Sequence, residues 1–365
     1  MTAMPAIWTR RRLLATGAAL GATGAVLGAF AALGGGARAQ EGIRYFRIGT
    51  GATGGTYYPI GAALANAISN PPGSRVCERG GACGVPGLIA TAQTTQGSVQ
   101  NLEELAAGRF DSAFTQADVA YWAHRAEGIY QGKPAFADLR LIATLYPETI
   151  HLVVRRDAAI AAVGDLKGKR VSLGEQGSGT LVHARIVLEA HGLAPDDLAA
   201  SYFRIGEAAD GVRQGLLDAF VFTAGMPVSA IAALAEAAEI ALVPVVGAPT
   251  EPLRRRFPYF TPARIPGAEY KGTADTPTLA VSTLWVVDAK AEADLVYGIT
   301  KALWHPNTKA LLERGHPVGK QIAIERALET TSIPLHPGAE RYYREIGKLN
   351  GAKPTEGNPG NGKDQ

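Results

Sequence analysis

Residues 44–68 read RYFRIGTGATGGTYYPIGAALANAI, and residues 169–190 read KRVSLGEQGSGTLVHARIVLEA. Each stretch opens on a short strand-like run, Tyr45–Ile48 in one and Lys169–Leu173 in the other, and turns through glycines into a helix. In the first helix Ile60, Leu64, Ala67 and Ile68 share a face, and the second, Leu181–Ala190, is closed by Gly192. A strand, glycine turn and helix used twice predicts parallel pairing in two α/β lobes. The intervening sequence fits that plan. Ser98–Ala107 has helical spacing, and Asp111–Thr115, Leu139–Leu145 and Ile150–Val154 read as extended, the last two separated by Tyr146-Pro147-Glu148. Further on, Phe203–Ile205, Ala219–Phe222 and Ile240–Val243 read as strands, and Gly206–Leu216 and Pro227–Ala237 as helices. Thr278–Val287 is a long apolar run, followed by an amphipathic helix at Glu292–Trp304.

The glycine turns exclude more chemistry than they offer. Gly49-x-Gly51-x-x-Gly54 has dinucleotide-fingerprint spacing, but Asn70-Pro71-Pro72-Gly73 stands where an acidic residue would take the ribose. Gly174 and Gly179 have P-loop spacing, but Thr180 replaces the lysine, and Gln176 and Thr180 replace the outer glycines of a nucleophile elbow around Ser178. The seven histidines show no metal-ligand spacing. What both turns supply is main-chain N–H groups at a helix start, where the dipole favours a negative group. Hydroxyl residues accompany them: Thr53 and Thr56 in one, Ser178 and Thr180 in the other. A carboxylate held between Gly54–Tyr57 and Gly177–Thr180 is the expectation, with neither metal nor cofactor.

Of 365 residues, 47% are hydrophobic and 19% charged, which excludes a disordered polar chain. The net charge of +3 comes from residues 1–39, which hold Arg10, Arg11, Arg12 and Arg38 and no acid. The remainder is near neutral, giving a nucleic-acid partner no electrostatic support. Those first residues have an export layout. Paired arginines precede Leu13-Leu14, a weakly apolar run extends to Leu33, and Ala37-Arg38-Ala39 offers a cleavage site. The expected mature chain begins at Gln40 and is periplasmic. In that oxidising compartment the two cysteines, Cys77 and Cys83, are expected to form a disulfide, which would pin a small loop by about 2 kcal/mol. From Asn350 onward the composition is that of a disordered tail.

Several longer stretches carry a resemblance. They are IGTGATGGTYYPIGAALA (48–65), the run from Cys83 to His124 containing GSVQNLEELAAGRFDSAFTQ, LIATLYPETIHLVVR (141–155) and LKGKRVSLGEQGSGT (166–180). VFTAGMPVSAI (221–231) and TPTLAVSTLWVV (276–287) belong with them. In this order they resemble the TAXI family, the extracytoplasmic solute receptors of TRAP transporters. The resemblance implies a two-lobed type II periplasmic-binding fold, with two parallel-rich sheets flanked by helices and a hinged cleft between the lobes. It implies a TRAP permease as membrane partner and a small carboxylate, such as glutamate or 2-oxoglutarate, as ligand. The positions it points to are Gly54, Gly55, Thr56, Tyr57 and Tyr58, then Ser98, Asn101 and Gln116, then Tyr146 and Glu148. Gly177, Ser178, Gly179 and Thr180 form the second clamp, and Thr223 ends the AFVF strand.

The expected division is lobe one at 44–147 and 292–349, and lobe two at 148–291. Two alternatives stand beside the TRAP receptor. One is a receptor of an ABC importer of nitrate, sulfonate or pyrimidine type. The other is a periplasmic enzyme acting on a carboxylate through Glu148 and a histidine.

Overall fold

A computed structural model describes residues 42–349; the export signal read at 1–39 and the tail from Asn350 lie outside the described residues. The chain opens with β1 (Arg44–Gly49), the first glycine turn and α1 (Tyr57–Ile68). Two-residue strands β2 (Ser69–Asn70) and β3 (Val85–Pro86) bracket the cysteine loop. Then come β4 (Leu88–Gln93), α2 (Ser98–Ala106), β5 (Ser112–Gln116), α3 (Ala117–Arg125) and the long β6 (Leu139–Arg155). Beyond it lie β7 (Arg170–Ser172), α4 (Gly179–Ala190), β8 (Ala199–Ser201), α5 (Ile205–Arg213), β9 (Ala219–Ala224), α6 (Ser229–Ala237) and β10 (Ile240–Leu242). The chain returns through α7 (Glu251–Arg256), β11 (Thr261–Ile265) and β12 (Thr276–Asp288), and ends on α8 (Ala293–Leu303), α9 (Pro306–Gly315) and α10 (Pro337–Glu345).

The expected α/β architecture is present, with its two parallel-rich portions joined into one ten-stranded sheet. The order is β4-β1-β5-β12-β6-β9-β7-β8, with β10 added to β6 and β11 to β12. On one side β4, β1 and β5 are parallel, and on the other β8, β7 and β9 are parallel. The antiparallel strands β6 and β12 join them, β6 reaching β9 through Thr149–Val154 and β12 reaching β5 through Thr283–Val287. Both centre strands are buried along most of their length, so they read as continuous apolar runs rather than alternating ones. Trp285 anchors the joint. It is fully buried, packs edge-on to Phe114, and donates from Nε1 to Ser112 Oγ at 3.0 Å.

Two expectations are corrected. Leu139–Leu145 and Ile150–Val154 are one strand, because Pro147 lies opposite Ser282 next to a register shift, where a missing N–H is tolerated. Phe203–Ile205 is not a strand. Phe203 N–H donates to Ser172 Oγ, and the Glu207 side chain accepts from Arg204 N–H, so Ile205 opens α5 and the strand is Ala199–Ser201. Among the described residues, no helix is long and apolar enough to cross a membrane.

Candidate functional site

The carboxyl ends of the parallel strands on both sides of the sheet converge on one cavity. It is small, about 50 Å³. The first glycine turn contributes Gly51, Ala52, Gly55, Thr56 and Tyr57, and the second contributes Gly174, Glu175, Ser178, Gly179 and Thr180. The polar wall adds Ser98, Gln116, Glu148 and Thr223; the apolar wall is built from Ile205, Ala208, Val221 and Phe222.

One hydrogen-bonded chain organises the polar wall across five elements. Tyr57 Oη lies 3.3 Å from Ser98 Oγ, which donates to Gln116 Oε1 at 3.0 Å. Gln116 Nε2 then donates to Glu148 Oε2 at 2.8 Å, and Thr283 Oγ1 donates to Glu148 Oε1 at 2.6 Å. Glu148 is 1% exposed, and burial pushes its carboxyl above the ordinary range, opposed by hydrogen bonds from Thr283, Tyr57 and Gln116. Burial likewise raises the Tyr57 and Tyr146 phenols, so both stay protonated at neutral pH. Glu175 is also raised by burial, against the pull of Arg204, whose Nε lies 3.0 Å away. Among the described residues, no lysine or arginine lines the cavity.

A second chain starts from the other wall. Thr180 Oγ1 accepts from Thr223 N–H at 3.1 Å, and Thr223 Oγ1 lies 3.1 Å from His183 Nδ1. His183 Nε2 meets Asp118 Oδ2 at 2.9 Å with both side chains fully buried, while Asp118 Oδ1 has no partner. Asp118 comes from α3 and His183 from α4, so this pair ties the β5 side of the sheet to the β7 side. Further ties follow the same line. Gly177 O accepts from Val99 N–H and Gln100 N–H at 3.1 and 3.0 Å, and Gly225 N–H donates to Thr56 Oγ1 at 3.2 Å. Gly177 has φ +79°, and a Cβ there would meet Gln96 Oε1 at 2.5 Å, so a glycine is needed for this approach.

The structure brings Gly55, Thr56, Tyr57, Ser98, Gln116, Glu148, Ser178, Gly179, Thr180 and Thr223 to the cavity. It places Gly54, Tyr58, Asn101, Tyr146 and Gly177 outside the lining. Asn101 Nδ2 donates to the Thr50 and Phe114 carbonyls, both at 2.7 Å, and holds β1 against β5. Tyr146 is 1% exposed and packs against Gly225; Gly54 accepts from Ala230 N–H through its carbonyl. Two clamp hydroxyls are already engaged. Ser178 Oγ caps α4 by accepting from Leu181 N–H, and Thr180 supports Thr223. Sequence reasoning missed the apolar wall and the His183–Asp118 pair. The one available signal was a charged Asp118 set among Ala117, Val119 and Ala120.

A family model described as the NMT1-like family matches residues 48–347. This chain belongs to the NMT1-like family. Among solved structures, the NMT1-like chain is similar to the alkanesulfonate-binding protein of Xanthomonas axonopodis pv. citri bound to MOPS, at 19% identity over 83% of this chain and 84% of that one, with a TM-score of 0.43. It is also similar to the periplasmic aliphatic sulphonate binding protein of Escherichia coli, at 17% identity, 83% and 87% coverage, and TM-score 0.41. A putative L-cystine ABC transporter of Listeria monocytogenes matches at 16% identity, 79% and 100% coverage, and TM-score 0.42.

Proposed function

We propose that this chain is an exported solute receptor that encloses a small organic acid and presents it to a membrane permease. The observation that carries the reading is the cavity itself, walled by two glycine–hydroxyl helix starts from opposite sides of the sheet. N–H groups in the first turn of a helix have no intrahelical acceptor and favour an anion. In this reading lobe one is 44–147 with 292–349, lobe two is 148–291, and closure excludes water and strengthens each hydrogen bond. A water needs about 10–15 Å³ of such space, so the cavity suits a solute of a handful of heavy atoms.

Glu148 narrows the solute further. A purely anionic acid would face a buried carboxylate with no cation on the lining, whereas an acid that also carries an amino group meets both ends of the site. We therefore place amino acids ahead of simple carboxylates and sulfonates. The test is a thermal-shift and calorimetric screen of refolded chain against glutamate, glutamine, 2-oxoglutarate, C4-dicarboxylates, branched-chain acids and sulfonates. A ligand at 100 times its Kd adds about 2.7 kcal/mol, a shift of several degrees. A response to one class, with the compound recovered unchanged by mass spectrometry, supports a receptor over an enzyme; silence across the panel overturns the reading.

Two permease types follow. The TAXI motifs imply a TRAP permease, driven by an ion gradient. The second reading is an ABC importer, the kind named for the L-cystine protein above. Uptake that stops when the gradient collapses supports the first, and uptake that stops when ATP is depleted supports the second.

A further inference from the structure

The Cys77–Cys83 disulfide lies away from the cavity, in the loop between β2 and β3, with both cysteines half-buried. Its two sulfurs face the start of α9. Cys77 Sγ is 3.7 Å from His305 Nε2, and Cys83 Sγ accepts from Asn307 Nδ2 at 3.2 Å. His305 is the N-cap of α9, its Nδ1 accepting from Asn307 N–H at 3.2 Å. That cap fixes the tautomer: the neutral ring carries its proton on Nε2 and directs it at Cys77 Sγ. The same fact argues against a metal at Cys77, Cys83 and His305, which otherwise lie close enough to share one. A metal would need a bare Nε2, and the cap would be lost.

Each sulfur thus has its own donor, and both stand over the positive end of a ten-residue helix. Such surroundings stabilise a thiolate, and a better thiolate is a better leaving group in thiol–disulfide exchange. In the same loop, Arg75 and Arg79 line a surface depression.

We propose that Cys77–Cys83 is a thiol-exchange site for small anionic thiols of the glutathione kind. The incoming thiol loses its proton to solvent, and its thiolate attacks Cys83 Sγ. The Cys77–Cys83 bond breaks, its electron pair stays on Cys77 as a thiolate held by His305 Nε2–H, and a mixed disulfide remains on Cys83. This site does not depend on what the cavity binds.

The test incubates the full chain with reduced glutathione at neutral pH and follows adducts by intact mass and peptide mapping. One adduct on Cys83 is expected. His305→Ser keeps a capping side chain but removes the donor, and it should slow adduct formation on the order of tenfold. Asn307→Ala separates the second donor from the cap. Arg75→Gln with Arg79→Gln should slow glutathione but leave neutral 2-mercaptoethanol unchanged. Wild-type chain that forms no adduct, equal labelling of both cysteines, or equal rates in His305→Ser would overturn the proposal.

Discussion

Gly179 is the first residue of α4, and it stands against Gln116 from the other side of the sheet. A Cβ added there falls well inside contact distance of Gln116 Oε1, with Cδ at 2.6 Å and Nε2 at 3.1 Å. Alanine suits the first turn of a helix, so Gly179→Ala leaves the isolated elements content and acts through Gln116. Gln116 can yield only by giving up its hydrogen bonds to Glu148 at 2.8 Å and Ser98 at 3.0 Å. Losing two buried hydrogen bonds costs roughly 1–3 kcal/mol, or about 5- to 160-fold in affinity. The alternative is that the two sides part and break the Gly177 contacts to α2. Calorimetry with the solute found by the screen measures the loss, and small-angle scattering reports whether ligand still compacts the chain. Gly179→Ala with Gln116→Ala should recover part of the affinity, since the wedge then has nothing to strike. Wild-type affinity in Gly179→Ala alone would refute the idea that the clamp closes against Gln116.

Three further outcomes follow. Glu148 has a folded-state pKa raised above its unfolded one, so it weakens the fold as pH rises through that raised value. Glu148→Gln should therefore melt higher than wild type at pH 7–8, with the gap closing towards pH 4.5, while binding an amino-bearing solute on the order of 10- to 100-fold more weakly. His151 behaves oppositely: burial lowers it to about 4. Stability is lost as pH falls from about 6.5 to about 4, up to about 3 kcal/mol, a slope that should flatten in His151→Gln in chemical denaturation at stepped pH. Ser178→Ala removes the N-cap of α4 and should cost about 1 kcal/mol of unfolding free energy even without solute.

Much of this molecule is legible in its residues, because strand, glycine turn and helix leave strong local signals. Both turns, α1 and α4 are readable that way, whereas Ser98, Gln116 and Glu148 are pointed to only by the resemblance to a known family. Phe222 and Ile205 are not: their place on the apolar wall depends on how β9 and α5 meet the first turn, a long-range fact with no local mark. The cysteine loop shows the same limit. Its disulfide is legible from spacing and compartment, but the donors over its sulfurs come from residues more than two hundred positions later. Ser178 and Thr180 show another. Hydroxyls at a helix start suit a ligand and a cap equally, and only the fold reveals that they are engaged with Leu181 and Thr223.

The position of β12 governs the order in which the molecule can assemble. It is the last strand among the described residues, yet it sits between β5 and β6, with Thr283 opposite Gln116 and Val287 opposite Ser112. A chain still being synthesised can pair β1 with β4 and β5, and later β7 with β8 and β9, but it cannot close the centre until Asp288 has been added. Until then β5 presents an unpaired edge, and such edges invite pairing with other chains. The segment 117–275 must loop out before β12 can close on β5, and a contact so distant in sequence makes this step slow. A chain truncated before Thr276 would carry both glycine turns and every residue of the cavity lining, on two separate sheets with no β12 to join them.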